Sequence, residues 1–229
     1  RELSTRDGID LRALAATAPP GTAGIHVDDA GRNTIVIGAG ANAELSDSHV
    51  AAQGQAIATA KVVLAQLESP LPCVLEAMRL ARAAGIKTML NPAPANADCL
   101  RELLAVTDVL TPNETEFAAL LARHTSERID PDTIATSDDS RLQPLCRTLL
   151  PRGTVAITLG AAGVFVSHRA DKTRGDVSDG YRLPAQAAET IDTTGAGDAF
   201  NGALAASLSH TPNTIFADHL RFAIRFAAL

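Results

Sequence analysis

Two acids bracket a run of small residues in Asp192-Thr193-Thr194-Gly195-Ala196-Gly197-Asp198-Ala199-Phe200-Asn201-Gly202. With no bulky side chain in the way, the backbone N–H groups of Gly195, Ala196 and Gly197 can approach an anion. The helix predicted from the spacing of Phe200, Leu204 and Leu208 puts its positive end behind them. A carboxylate at Asp198 then stands beside a transferring phosphoryl group, where an acceptor hydroxyl loses its proton as it attacks. A plain helix cap would also use an aspartate there. That reading covers Asp198 and one glycine, but not the second acid or the Thr-Thr-Gly-Ala-Gly spacer.

Four more polar residues, Glu68, Asn91, Asn113 and Thr158, each follow an apolar run that reads as a strand. Open parallel sheets bind ligands at the carboxyl ends of their strands. Singly, each has an ordinary alternative: Asn113 and Ser69 serve helix starts, and Glu68 is a solvated loop acid. Glu116, one turn into a helix, either orders magnesium-bound water or favours the helix dipole. No G-x-x-x-x-G-K-[ST] loop occurs, and Gly38-Ala39-Gly40 lacks the third glycine of a dinucleotide fingerprint. The six histidines show no paired-ligand spacing and fit surface or satisfied core positions.

The elements that must hold these residues alternate. Thr22–Val27 and Asn33–Gly38 read as a β-hairpin, with Asp28-Asp29-Ala30-Gly31 as its turn. After Gly38-Ala39-Gly40-Ala41-Asn42 the pattern becomes helix and strand in turn, the sign of a parallel sheet. Helices are expected over 47–60, from Ser69-Pro70 to Gly85, over 98–106, from Thr111-Pro112-Asn113-Glu114 to Ala122, and over 141–150. Thr111 serves as cap of the fourth and Glu114 as its capping-box acid. Strands are expected over 61–67, 86–90, 108–110, 154–158 and 163–167. Phe216, Leu220 and Ile224 mark a last helix. Residues 124–139 read as a polar surface insertion and 168–182 as a solvated loop. The division is a partial hairpin region over 1–42 and an α/β core over 43–229.

Composition narrows the partners. The formal charge of -6 over 229 residues gives no electrostatic reason for nucleic acid or an anionic membrane, and favours a small-molecule ligand. No apolar run is long enough to span a bilayer, and no signal-peptide pattern opens the chain. Cys73, Cys99 and Cys146 are odd in number and far apart, as expected for buried or free thiols in the cytoplasm.

The Asp192–Gly202 run resembles the C-terminal signature of the PfkB carbohydrate kinase family. Gly38–Asn42, Gln66-Leu67-Glu68-Ser69-Pro70, Asn91-Pro92-Ala93-Pro94, Thr111–Glu116 and Ile157-Thr158-Leu159-Gly160 resemble further family segments in the same order. The resemblance implies a ribokinase-like α/β fold, with a parallel-rich sheet flanked by helices and a small β lid. It implies transfer of the ATP γ-phosphate to a sugar hydroxyl, the primary hydroxyl of ribose first among them, with Asp198 as base and Gly195, Ala196 and Gly197 as anion hole. Another sugar or a nucleoside, or a non-catalytic sensor, are the alternatives. By resemblance, Glu68, Asn42 and Asp198 contact the sugar. Asn113, Thr158, Gly160, Gly163 and Gly197 line the ATP site, and Glu116 holds Mg2+ through water. Asp192 and Thr194 hold K+, and the hairpin pairs two copies into a homodimer. The family's first strand with its Gly-Gly loop, and the segment that closes the cation site, have no counterpart in these residues. Both ends are therefore expected to be cut, and residues 1–229 alone to turn over little substrate.

Overall fold

Apolar runs with alternate residues suited to two different cores build the central sheet. The computed structural model describes residues 2–27, 33–95, 98–170, 174–187 and 194–228. A short helix α1 (Glu2–Arg6) precedes a two-stranded antiparallel sheet of β1 (Thr22–Val27) and β2 (Asn33–Gly38), in which Ile25 faces Ile35 in register. The main sheet runs in sequence order through β3 (Val62–Ala65), β4 (Lys87–Leu90), β5 (Val109–Leu110), β6 (Thr154–Thr158), β7 (Val164–Ser167) and β8 (Gly180–Leu183). The first four are parallel, β7 runs antiparallel to β6, and β8 is antiparallel to β7 and so runs in the direction of the first four.

Period-two alternation sends successive side chains to opposite faces. Leu90, Leu110, Val155, Ile157 and Phe165 enter one core, where they meet the helices α4 (Leu71–Ala83), α5 (Arg101–Ala105), α6 (Glu114–His124), α7 (Pro131–Ile134) and α8 (Asp139–Leu149). Met89, Val109, Ala156, Val164 and Val166 enter the other, under α9 (Ala196–His210) and α10 (Phe216–Ala227). Helices α2 (Asp47–Ala52) and α3 (Gly54–Ala58) pack on α4. This is the expected α/β architecture. The three cysteines are free and buried, and burial pushes the Cys99 thiol up to about 11 and the Cys146 thiol to about 12.

Several expectations from sequence need correction. The helix expected over 47–60 breaks at Gln53-Gly54, where glycine is a poor helix residue. The helix after Ser69 begins one residue late, with Pro70 at the cap position. Residues 124–139 are not a purely polar insertion, because Ile129 and Ile134 are buried in the larger core. Residues 168–182 are not simply a solvated loop either.

Within that segment the side chains of His168 and Asp176 are almost wholly buried, at 0% and 4% exposure. The Asp176 carboxylate can only accept, so His168 Nε2 carries the proton and donates to Oδ2 (2.9 Å). His168 Nδ1 then accepts from the Thr154 hydroxyl (2.9 Å), whose oxygen in turn accepts from Arg174 Nε (2.7 Å). The same carboxyl oxygen accepts from Tyr181 Oη, and its other oxygen accepts from the Ala217 N–H (3.0 Å) in the first turn of α10. A polar segment is buried here because its groups satisfy one another.

Removing one member should therefore cost more than a surface change. Asp176→Ala leaves His168, Tyr181 and the Ala217 N–H short of a partner, and should lower unfolding free energy by roughly 2–4 kcal/mol. Burial holds the His168 pKa below its usual 6.5 against the opposing pull of Asp176. The unfolded chain then takes up a proton near pH 6.5 that the folded one refuses, so this histidine's contribution falls as pH drops below that value. Urea titrations at pH 7.5 and 5.5 check both expectations.

Candidate active site

The carboxyl ends of β3, β4, β5 and β6 bring together Gln66, Asn91, Thr111, Asn113 and Thr158, and the first turn of α9 comes to the same edge. Asn91 Nδ2 donates to the Thr111 carbonyl (2.9 Å), so Asn91 Oδ1 faces the other way and accepts from Gln66 Nε2 (3.1 Å). The second proton of that Gln66 amide goes to Asp198 Oδ1 (2.8 Å). On the other side of Thr111, its hydroxyl donates to Asn201 Oδ1 (2.5 Å), while Asn201 Nδ2 donates to the Gly197 carbonyl (2.9 Å). Asn91, Thr111 and Asn201 are buried, whereas Asp198 is exposed.

The cap position of α9 is Gly195, so Asp198 is the third helical residue and not the cap. Gly195 has φ +81°, a left-handed conformation that favours glycine. No side chain caps this helix, and its first backbone bond from within the helix is Ala199 N–H to the Gly195 carbonyl. The preceding N–H groups are left without helical acceptors, as at any helix start. A Cβ built on Gly195 or Gly197 would meet nothing within 4 Å, so there is open space beside the turn. Exposed donors, open space and a helix dipole together suit an anion. Thr194, also exposed, lies just before the turn, and Asp192 lies outside the described residues.

A cavity of about 410 Å³ lies alongside, lined by Asn42, Gln66, Glu68, Ser69 and Cys73 among others. Asn42 comes from the turn over Gly40–Glu44 that follows the hairpin, and Glu68 from the loop after β3; both are exposed. The Leu67 N–H donates to the Ala93 carbonyl (3.0 Å), tying the Gln66–Pro70 loop to the Asn91–Pro94 loop. Gln66 belongs to both the cavity wall and the Asp198 carboxylate.

The cap of α6 falls two residues later than expected. Thr111 still pairs with Leu90, and Thr158 N–H with the Pro112 carbonyl, so the chain stays extended until Asn113. Asn113 and Glu116 form a reciprocal capping box: Glu116 N–H to Asn113 Oδ1 (2.8 Å) and Asn113 N–H to Glu116 Oε2 (2.9 Å). Burial raises the Glu116 pKa, with neighbouring Glu114 adding to it. No cationic side chain pairs with either acid among the described residues. Nor do three metal-binding side chains come together among those residues. Such an uncompensated acid pair fits a hydrated Mg2+ held through water and does not fit direct coordination.

Gly160 is exposed beyond β6, next to Thr158. Gly163 is different, because it is buried at φ +89° and a Cβ there would lie 2.0 Å from the Leu183 carbonyl oxygen. Its need for glycine comes from packing on β8. The residues whose site role reading the sequence missed are Gln66, Thr111 and Asn201. All three lie inside motifs already quoted, and only the fold brings them together.

The model of the pfkB family of carbohydrate kinases matches residues 2–229. Ribokinase from Mus musculus is 37% identical over 206 residues, 89% of this chain and 58% of that protein, so the chain spans little more than half of that relative. The crystal structure of ribokinase from Thermotoga maritima superposes with a TM-score of 0.79 at 28% identity, over 99% of this chain and 68% of that one. Arabidopsis thaliana ribokinase, complexed with ribose and ATP, superposes with a TM-score of 0.73 over 97% of this chain and 67% of that one. Its 24% identity speaks for the fold alone.

The capping box predicts a stability effect independent of any ligand. Asn113→Ala should lower unfolding free energy by about 1–2 kcal/mol, through the lost cap acceptor for the Glu116 N–H and the loss of the Nδ2 donor to Glu116 Oε1. Adding Glu116→Gln should restore part of this, because a buried amide costs less than a buried carboxylate. Denaturant midpoints of the single and double variants measure it.

Proposed function

The chain belongs to the pfkB family of carbohydrate kinases, and from that we propose that its full-length protein transfers the γ-phosphate of ATP to the primary hydroxyl of ribose. The observation that carries this reading is the position of Asp198. It stands in the first turn of α9, next to uncapped N–H groups, and hydrogen-bonds to a residue of the Asn42–Glu68 cavity. A carboxylate between an anion-binding turn and a polar cavity is where a base for phosphoryl transfer belongs.

In this reading Asn42 and Glu68 hold the sugar hydroxyls. Asp198 takes the proton of the attacking hydroxyl as its oxygen bonds to the γ-phosphorus and the bond to the β-phosphate oxygen breaks, releasing ADP. The N–H groups of Gly195, Ala196 and Gly197 stabilise charge on the transferring group. Asn113, Thr158, Gly160, Gly163 and Gly197 surround the nucleotide, with Gly163 acting by shaping the β6–β7 turn. Bound Mg2+, held through water at Glu116, would neutralise phosphate charge. K+ at Asp192 and Thr194 would keep the turn in shape.

The hairpin β1–β2 carries exposed Ile25, Val36 and Ile37, which supports a lid over the sugar that pairs two copies into a homodimer. A cytoplasmic location suits this metabolism. Among the described residues no helix is long and apolar enough to cross a membrane.

Purified full-length protein should convert ribose and ATP to ribose 5-phosphate and ADP, faster with K+ present. Turnover of another sugar or a nucleoside instead would replace the substrate, and binding without turnover would make the protein a sensor. Asp198→Asn should lower kcat by roughly 10²-fold or more while calorimetric binding of both substrates persists. Glu68→Gln should mainly weaken sugar binding.

A further inference from the structure

A primary amide is nearly symmetric in shape, so its direction is set by what it must bond. The Thr111 carbonyl can only accept, which turns Asn91 so that Nδ2 faces it. Asn91 Oδ1 then faces Gln66 and requires a donor, so Gln66 presents Nε2 and has one proton left over. That proton meets Asp198 Oδ1 at 2.8 Å. A backbone carbonyl in the buried centre of the sheet thus fixes, through two amides, which group faces an exposed carboxylate. With Oδ1 occupied, Oδ2 accepts from no protein donor among the described residues and is the oxygen placed to take up a proton.

A second arm leaves the same threonine. Its hydroxyl proton goes to Asn201 Oδ1, and Asn201 Nδ2 goes to the Gly197 carbonyl, in the turn that carries the anion-binding N–H groups. The two arms therefore set the carboxylate and the turn relative to one residue, Thr111.

We propose that Gln66, its amide direction fixed by Asn91 and Thr111, is the positioning residue for Asp198, holding Oδ1 so that Oδ2 points to the attacking hydroxyl. This rests on the kinase reading. Gln66 also lines the cavity assigned to the sugar, so its loss could act on binding alone. The distinction between positioning and binding is measurable.

Gln66→Met keeps length and approximate volume and removes both donors. In the full-length enzyme it should lower kcat by roughly 10- to 100-fold, the rate equivalent of one hydrogen bond to a charged group. KM for ribose and for ATP should stay within about threefold. Gln66→Glu, which keeps shape and polarity and so guards against a folding defect, should lower kcat at least as far, because it sets a carboxylate against both Asn91 Oδ1 and Asp198. In an Asp198→Asn background the Gln66→Met effect should shrink to within about twofold, since a positioning residue has nothing left to position.

Equal fold losses in both backgrounds would overturn the proposal, as would a rise in KM with kcat unchanged or wild-type turnover in Gln66→Glu. If the unsubstituted protein phosphorylates no sugar or nucleoside, the kinase reading itself falls and this role falls with it. An active wild type with an unaffected Gln66→Met defeats only the role of Gln66.

Discussion

Thr111, at the end of β5, bonds in two directions: its carbonyl accepts from Asn91 and its hydroxyl donates to Asn201. One arm ends on the Asp198 carboxylate and the other on the Gly197 carbonyl of the turn that starts α9. The candidate site depends on this junction, because the exposed groups have little else to orient them. The junction in turn depends on the sheet. Strand β5 lies between β4 and β6, with Val109 and Leu110 fully buried in opposite cores. Its end therefore has a fixed place relative to α9, which packs on the face that Val109 enters.

The two ends of the sheet treat polar groups in opposite ways. At the carboxyl ends, the N–H groups at the start of α9 lack helical acceptors, Asp198 and Glu68 are exposed, and Glu114 and Glu116 have no cationic partner among the described residues. At the other end, Thr154, His168, Arg174, Asp176 and Tyr181 satisfy one another under the start of α10. A closed network holds the chain together and offers no group to a ligand. An open edge costs stability and leaves donors and acids available for one.

Much of this was legible from residue order. Residue order shows β3 to β7, Thr154–Thr158 to the residue, because segments buried on both faces read as continuous apolar stretches, whereas β8 (Gly180–Leu183) starts inside the polar stretch 168–182 and does not show as a strand. The small-residue turn with Asp198 was legible because an anion-binding turn constrains local sequence. A cap residue and proline in order suggest a start of α6 at Thr111, which cross-strand pairing at Thr111 and Pro112 overrides, so the cap is Asn113. The segment 168–182 reads as solvated because its polarity is visible in sequence, whereas its satisfaction depends on Thr154 in β6 and the Ala217 N–H in α10. Gln66 and Asn201 were hidden for a related reason: hydrogen bonds between residues 132 apart, as between Gln66 and Asp198, leave no local spacing.

In the proposed chemistry Asp198 accepts the proton of the attacking sugar hydroxyl, through the oxygen that Gln66 leaves open. A crystal structure of the full-length protein with ribose and a non-hydrolysable ATP analogue tests this most directly. The ribose primary hydroxyl should lie within roughly 2.6–3.2 Å of Asp198 Oδ2, with Gln66 Nε2 still on Oδ1 and the γ-phosphate against the N–H groups of Gly195, Ala196 and Gly197. A ribose hydroxyl directed away from Asp198, or a γ-phosphate bound away from that turn, would contradict it.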